Sequence, residues 1–392
     1  MKMMKLNLLF FLCLLCAQTN ALEIWTSNEN VKRAIEKLTP QFEKEFKHKV
    51  KVTILNKDLT SQFKTAAMSG KGPDILCWAH DVVGELASSG LIEPILLDES
   101  LKKELLPVAV KAYTYNGKVY GYPYDLEAIA FIYNKDLLPQ VPETLEELVS
   151  LSQSLKTKGA KHFGFLYDYA NFFFSFPILS AAGGYVFKND GSGLNVSDVG
   201  LNNQGALTGA KFLARLSKTG VIPSSTDRSI AFDKMKNGKL AATIDGPWSI
   251  ADLKRSKINY GVAPIPTLAG QKPKPFVGTH GFMIRRSSEN KELAKELIEN
   301  YFLSKEGIAT MYKEDPRGPS RLDVLAELSK TDKDLKAFME SASHGIPMPN
   351  VPEMGAVWAS AGGALKMIVT GQEKPKTALD QAVNQINAAT SK

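Results

Sequence analysis

The sequence has little cysteine, and this scarcity excludes several kinds of stabilisation and chemistry. Its three cysteines are Cys13, Cys16 and Cys77, and the first two lie in an N-terminal stretch with the features of a signal. Without that stretch Cys77 stands alone, so neither an intramolecular disulfide nor a metal site built from cysteines can form. Cys77 sits in an apolar, strand-like run, which favours a buried inert thiol over a nucleophile.

Motifs of familiar catalytic sites are missing as well. The chain has no Gly-x-Ser-x-Gly turn and no His-Glu-x-x-His pair, and the GSG at 191–193 lacks the lysine of a phosphate-binding loop. The five histidines are scattered without ligand spacing, so neither a metal nor a cofactor is expected. Asp74, Asp81 and Glu127 could still supply a glycosidase pair, because a sequence does not give the separation of carboxylates.

Long apolar runs are absent beyond the N-terminus, which argues against a later membrane span. Residues 1–21 begin with lysines, continue with the apolar run 6–17 and end at Ala21. This pattern predicts a secretory signal cleaved after Ala21, and hence an exported protein. Cys13 and Cys16 raise a lipoprotein alternative, but each follows a leucine where a lipobox has a small residue.

No basic arm and no stripe of basic and aromatic residues accompanies the formal net charge of +7. Lysines are spread through helix-like segments such as residues 290–300, so a solvated surface is favoured over a nucleic-acid interface. With 44% hydrophobic and 23% charged residues the composition is that of an ordinary globular protein. The chain is too long for one core, so two domains are expected.

The first hundred residues alternate strand-like and helix-like segments. LEIWTS, VKVTIL and GPDIL predict strands. Between the first two, apolar residues recur every three or four positions from Val31 to Phe46, which predicts a helix with a kink or a late start at Pro40. Glu29 and Asn30 are candidates for capping it. The alternation predicts an α/β fold of mostly parallel sheets flanked by helices.

Three of the four tryptophans, Trp78, Trp248 and Trp358, stand beside segment ends or small residues. A sugar ring has an apolar face of C–H groups and a rim of hydroxyls, so its site needs flat aromatic rings together with carboxylates or amides. Trp78 and Asp81 offer both within four residues. A place in the core is the alternative for each of these tryptophans, and Trp25, inside a strand, is assigned to the core.

The segments GPDILCWAHD, AIAFIYNKDLLP, AAGGYVFK, ATIDGPW and MPNVPEMGAVW occur in the order and spacing of one known family. From about Ile24 to beyond Trp358 the chain resembles the periplasmic maltose/maltodextrin-binding proteins, the substrate receptors of ABC sugar importers. The resemblance implies a two-lobed periplasmic binding protein fold with a hinge and an interlobe cleft. It implies an N-terminal lobe of residues 22–125 and 282–327, a C-terminal lobe of 130–276 and 334–392, and hinge crossings at 126–129, 277–281 and 328–333.

The resemblance also implies which residues hold the sugar. Trp78, Trp248 and Trp358 fall on positions that pack on sugar rings, and Asp81 and Glu127 on positions that accept sugar hydroxyls. From the residues alone, Glu127 at a strand start is either exposed or directed into a cleft. The further contacts that the resemblance implies are Glu29, Asn30, Ala79, Asn171, Phe173 and Met348.

The departures from the family are concentrated in polar groups. Glu29-Asn30 replaces an Asp-Lys pair, Val82 an arginine, and 171–173 a Glu-Pro-Tyr wall; Ala359 and Gly362 stand where a tyrosine and an arginine are expected. Losing two or three hydrogen-bond partners could weaken maltose binding by orders of magnitude, unless another ligand or water replaces them. The tryptophans remain, so the preferred sugar is the open question.

The expected function is therefore that of a periplasmic receptor without catalysis or cofactor. We expect a monomer that binds a maltose- or maltodextrin-type oligosaccharide and delivers it to the membrane permease of an ABC importer. The alternatives are a receptor for another disaccharide such as trehalose, a secreted glycoside hydrolase using Asp81 and Glu127, and a sugar-binding fold recruited for signalling or adhesion.

Overall fold

The computed structural model describes residues 21–157, 162–191 and 193–390, so the predicted signal lies outside the described residues apart from Ala21. None of the described helices is long and apolar enough to cross a membrane. The strands are β1 (Leu22–Thr26), β2 (Val50–Ile54), β3 (Ile75–Ala79), β4 (Thr114–Tyr115), β5 (Lys118–Val119), β6 (Tyr122–Pro123), β7 (Asp125–Leu126), β8 (Ala130–Asn134), β9 (Phe163–Phe165), β10 (Phe187–Asn189), β11 (Leu194–Val199), β12 (Leu240–Asp245), β13 (Tyr260–Ala263), β14 (Phe276–Val277), β15 (His280–Ile284), β16 (Gly318–Pro319) and β17 (Ile346–Pro347).

The helices alternate with these strands along much of the chain. They are α1 (Glu29–Phe46), α2 (Leu59–Met68), α3 (Val83–Ser88), α4 (Glu99–Glu104), α5 (Pro107–Ala112), α6 (Leu145–Thr157), α7 (Phe172–Ser180), α8 (Gln204–Lys218), α9 (Arg228–Lys236), α10 (Ile250–Ser256), α11 (Lys291–Glu296), α12 (Lys305–Glu314), α13 (Leu322–Leu328), α14 (Lys333–Ser343), α15 (Met354–Thr370) and α16 (Pro375–Thr390), with short 3-10 turns at His80–Val82 and Pro247–Ser249 and a π-helical turn at Leu297–Phe302. The protein is thus a mixed α/β molecule.

The first main sheet has the strand order β2-β1-β3-β15-β6. β1 pairs in parallel with both β2 and β3, whereas β15 is antiparallel to β3 and β6. The parallel half follows from the strand-helix-strand alternation of the first hundred residues, since each crossover helix returns the chain to the same end of the sheet. The antiparallel half is built from segments that are distant in sequence.

Both faces of this sheet are buried, and the apolar run at β3 shows why. Ile75 and Cys77 point into a cluster with Phe42 of α1, while Leu76 points into another with Phe63 of α2. Successive side chains of a strand leave opposite faces, so a strand covered on both sides needs a continuous apolar run. Burial raises the pKa of the Cys77 thiol to about 12, which makes it the inert thiol that the sequence predicts.

The second main sheet has the order β13-β8-β12-β9. β8 is antiparallel to both β12 and β13, and only β12 and β9 are parallel. The prediction of a mostly parallel sheet is therefore wrong for this second sheet, because the alternation of strands and helices along the chain does not reveal which strands become neighbours. Its core is a separate and larger cluster packed under α7, α8, α15 and α16.

Helix α1 differs from the prediction at its start. Asn28 is the N-cap, and its side-chain oxygen accepts hydrogen bonds from the amides of Asn30 at 2.9 Å and Val31 at 3.3 Å. Glu29 and Asn30, predicted as caps, are instead the first helical residues. The helix runs through Pro40 rather than beginning late there.

Short pairings bring together the segments that connect the two main sheets. β7 pairs with β16, β14 pairs with β17, and Glu127 forms an antiparallel bridge with Gly278 through hydrogen bonds of 2.9 and 2.8 Å. β7 and Glu127 lead from β6 to β8, and β14 and Gly278 lead from β13 to β15, whereas β16 and β17 come from the helical regions that follow β15. Side chains on them therefore meet although they lie far apart in sequence.

Asp74, just before β3, ties three segments of the first sheet together, and its removal should be costly. The buried carboxylate accepts from the amide of Glu23 at 2.9 Å, the hydroxyl of Ser288 at 2.6 Å and the amide of Asn290 at 3.2 Å. Asp74→Ala should lower the free energy of unfolding by roughly 3 kcal/mol, because buried donors lose their acceptor. Asp98→Ala, which removes an exposed helix cap, should cost only about 1 kcal/mol. Urea unfolding measures both, and equal losses would contradict this assignment.

Candidate functional site

Asp81, a predicted hydroxyl acceptor, lies in the 3-10 turn that follows β3. Its Oδ2 accepts a 3.0 Å hydrogen bond from the indole Nε1 of Trp358 on α15, across 277 positions of sequence. Burial raises the pKa of this half-buried carboxyl, and neighbouring His80 and the Trp358 bond oppose that rise. A predicted acceptor and a predicted ring platform thus contact each other directly.

A chain of aromatic rings links Trp358 to Trp248. The ring centre of Phe276 lies 5.8 Å from that of Trp358 and 6.2 Å from that of Phe173, which in turn lies 6.2 Å from Trp248. These are separations at which aromatic pairs attract. Both tryptophans are only partly buried. The elements α7, β14 and α15 and the turn after β12 therefore form one aromatic wall that contains three of the predicted residues.

Trp248 is fixed by its own turn. Its Nε1 donates a 2.7 Å hydrogen bond to buried Asp245, and Gly246 lies so close to the six-membered ring that a Cβ there would overlap it. Asp245 also accepts from Nε of Arg228 at 3.0 Å, which opposes the rise that burial causes in its pKa. The hydrogen bond and the close glycine hold the indole as a rigid surface.

Glu127, the second predicted hydroxyl acceptor, is held in a buried ion pair. It follows β7, is 7% exposed, and contacts Nε of Arg317 through Oε2. The guanidinium also pairs with Asp315 through Nη1, and its Nε lies 3.8 Å from Asp125. We call Asp125, Glu127, Asp315, Arg317 and His280 the charge cluster. Buried carboxylates are tolerated here because a cation is in contact with them.

His280 supplies the second basic group of this cluster. Its Nδ1 lies 3.1 Å from Asp125, and its Nε2 lies 3.9 Å from Glu127. Burial by itself would lower the pKa of His280, but the two carboxylates outweigh it and the pKa is raised. His280 pairs in register with Ala79 at the end of β3. Half-buried Ala79 thus lies beside the charge cluster, whereas Trp78, also half-buried, leaves the opposite face of β3 and packs against the cluster that contains Phe63.

Of three further predicted contacts, two have other partners in the structure and one is exposed. Glu29 is exposed, Asn30 accepts a hydrogen bond within α1, and Asn171 caps α7. Their positions are nevertheless informative. Asn28, next to Glu29, donates a 2.7 Å hydrogen bond to Asp315. The start of α1 therefore reaches the charge cluster through Asn28, which is not among the predicted contacts.

His80 is structural, and it positions Met348. The buried ring accepts from the amide of Thr279 at Nδ1, 3.2 Å, and its Nε2 lies 2.9 Å from the carbonyl oxygen of Met348. One acceptor and one donor nitrogen define the neutral tautomer. Met348 is buried, which fits an apolar lining residue.

Arg317, Asp315, Arg228 and Asp245 are the residues that sequence reasoning missed. Asp315 and Arg317 lie in EDPRGPS, which reads only as a loop rich in proline and glycine. The signal that could have found them is the pair of opposite charges, Asp315 and Arg317, in a loop stiffened by Pro316 and Pro319. Within the described parts of the chain, no group of three or more His, Cys, Asp or Glu residues is placed to hold a metal ion.

The neutral state of His80 predicts a specific pH dependence. Burial lowers its pKa below the ordinary value of 6.5, so below about pH 6.5 the unfolded chain binds the proton that the folded one resists. The free energy of unfolding is therefore undiminished by His80 above the unfolded pKa, and it decreases as the pH falls below that value. Urea unfolding at roughly pH 5 to 8 should show a smaller acid loss for His80→Gln than for the wild type. His280, with its raised pKa, acts with the opposite sign above about pH 6.5 in both proteins. Parallel profiles below pH 6.5 would contradict the assignment.

Comparison with known proteins places the chain in a family. Residues 37–339 match the family described as bacterial extracellular solute-binding protein. The chain is 32% identical over 375 residues to a galactooligosaccharide-binding protein of Bacillus subtilis, with 92% of this chain and 87% of that protein covered. A maltodextrin-binding protein of the same organism is 32% identical, covering 91% and 87%. A maltooligosaccharide ABC transporter solute-binding lipoprotein of Streptococcus pneumoniae is 31% identical, covering 92% and 86%.

These matches confirm the resemblance that the sequence motifs indicate. They name binding proteins rather than enzymes, in agreement with the prediction of no catalytic activity. The family match covers more than half of the chain, and relatives above 30% identity cover nearly all of it. The chain belongs to the bacterial extracellular solute-binding proteins.

Proposed function

We propose that this protein is an exported receptor that binds an oligosaccharide and delivers it to the membrane permease of an ABC importer. The observation that carries the proposal is the aromatic wall, in which buried Phe276 links the partly exposed rings of Phe173, Trp248 and Trp358, together with the carboxylates of Asp81 and Glu127. Flat rings cover the apolar faces of sugars, and buried carboxylates accept their hydroxyls.

The ligand lies in a cleft between two lobes, in this proposal. The lobes are residues 22–125 with 282–327, and 130–276 with 334–392, and the chain crosses at 126–129, 277–281 and 328–333. Two main sheets with separate cores support this division. The contact of Asp81 with Trp358 then spans the cleft, and closing the lobes on a sugar is a hinge motion that the permease can detect.

The binding groups satisfy one another in the described structure, and this supports an exchange of partners on binding. Asp81 accepts a hydrogen bond from the indole of Trp358, and Glu127 is paired with Arg317. A sugar hydroxyl that donates to Asp81 replaces a donor that is already present. Each new hydrogen bond therefore contributes to the binding free energy only the difference between itself and the bond that it replaces. Affinity then depends mainly on ring packing and on the number of hydroxyls that find partners.

The proposed ligand is a glucose-containing oligosaccharide of the maltodextrin type. Relatives named for maltodextrin and for galactooligosaccharide are equally similar to this chain, so a galactose-containing oligosaccharide is the alternative to test. We further propose that Glu29, Asn30, Ala79, Asn171 and Met348 line the site, that the signal is cleaved after Ala21, and that the receptor acts as a periplasmic monomer.

A direct titration tests the proposed function. The purified protein should change its tryptophan fluorescence on addition of maltotriose or galactotriose, because two of its four tryptophans lie in the aromatic wall. After incubation with the protein, chromatography should show the sugar at its original length. The absence of any response to a panel of neutral oligosaccharides and trehalose would reject the proposal, and shortened products would favour a hydrolase.

Trp248→Ala tests the ring surface itself. Losing the stacked indole should raise the dissociation constant at least about tenfold, which corresponds to about 1.4 kcal/mol. Trp25→Ala is the matched control, because Trp25 is also half-buried but hydrogen-bonds Glu23 within the first sheet. Calorimetric titration measures affinity and thermal unfolding measures stability. If the two variants lost affinity equally, or if Trp248→Ala lost stability without losing affinity, Trp248 would be a core residue rather than a sugar-binding one.

A further inference from the structure

Arg317 lies where the charge cluster meets the aromatic wall. We propose that Arg317 is a sugar-contacting residue that determines which oligosaccharide the receptor prefers, by donating from Nη2 to a hydroxyl of the ring that packs on Trp248. The inference rests on the proposed function, which it deepens by adding a specificity residue that neither the sequence motifs nor the named relatives indicate.

The position of the guanidinium supports this role. Arg317 follows α12 in the loop before β16, and only 8% of the residue is exposed. Its central carbon lies over the indole of Trp248, 5.3 Å from the ring centre. Gly246 lies against the same indole so closely that no side chain would fit there. The guanidinium of Arg228 also lies over this indole, 6.0 Å from the ring centre. A sugar that packs on the part of the ring that these groups leave free therefore lies close to Arg317.

The hydrogen bonds of Arg317 leave a donor for a ligand. Nε contacts Glu127 and Nη1 contacts Asp315, both through side-chain oxygens. The hydrogen bonds described for the guanidinium use these two nitrogens, and Nη2 carries two further N–H donors in the same plane. Because the two ion pairs fix the plane, the direction of the remaining donors is fixed as well.

The charge balance around Arg317 indicates the class of ligand. Asp125, Glu127 and Asp315 carry three negative charges, against one on Arg317 and one on His280 when it is protonated. The cluster therefore keeps a negative excess, and an anionic sugar would have to approach against it. A neutral oligosaccharide avoids that repulsion, since its hydroxyls donate to the carboxylates and accept from Nη2.

Arginine and lysine differ in the property that matters here. A lysine at 317 could still pair with Glu127, but it has no second nitrogen in a fixed plane and no flat group to lie over the indole. Arg317→Lys thus keeps the charge and removes the directed donor. The change should alter the preference between sugars that differ in hydroxyl orientation, rather than weaken all sugars alike.

The test compares Arg317→Lys with Arg321→Lys by calorimetric titration with maltotriose and galactotriose. Arg321 is a matched control, because its half-buried side chain also pairs with two carboxylates, Glu104 and Asp323, and no contact with the wall is described for it. Arg317→Lys should raise the dissociation constant of the preferred sugar about tenfold or more and change the ratio of the two constants. Arg321→Lys should change neither.

The possible outcomes separate the inference from the proposed function. Wild-type protein that binds no oligosaccharide would reject the proposed function itself. Wild-type binding with an unchanged sugar ratio in Arg317→Lys would overturn the role of Arg317 alone. If Arg317→Lys does not fold, the double variant Arg317→Gln with Glu127→Gln is compared with Glu127→Gln, because this pair isolates Arg317 without leaving Glu127 charged and unpaired. An equal sugar ratio in those two proteins would likewise overturn the inference.

Discussion

The compensation of buried charge where the connecting segments meet is the constraint on which the rest of this structure depends. Asp125, Glu127 and Asp315 are each less than 8% exposed, and a buried carboxylate without a partner would be strongly unfavourable. Arg317 and His280 remove that penalty by contacting all three. The segments carrying these groups, β7, β15 and the loop after α12, must therefore stay together, and their pairing positions the two main sheets.

Under the proposed function, the same region links folding to binding. Arg317 compensates Glu127 and at the same time lies over Trp248, while Asp81 takes the indole N–H of Trp358. Groups that would recognise a sugar are thus ordered by one another before any sugar arrives. Such preorganisation lowers the entropy lost on binding and makes the preferred ligand depend on a few directed donors.

Sequence reasoning succeeded where the information is local. The apolar run around Cys77 predicted a strand with a buried thiol, and the apolar spacing from Val31 to Phe46 predicted a helix; the structure has β3 and α1 there. It failed at the second sheet, where β8 runs antiparallel to both neighbours. It also placed the cap of α1 at Glu29 and Asn30 rather than at Asn28. Boundaries and strand neighbours depend on distant contacts, which a local pattern does not contain.

In the candidate site, too, local sequence information and contacts between distant segments play different parts. The sequence by itself determined the aromatic surfaces and the carboxylates, since Trp78, Trp248, Trp358, Asp81 and Glu127 stand at segment ends in recognisable motifs. Only the tertiary structure decided what those groups touch: Trp358 meets Asp81 across 277 positions, and Arg317 meets Glu127 across 190. The physical reason is that a hydrogen bond or an ion pair acts over a few ångströms in space, whatever the separation along the chain.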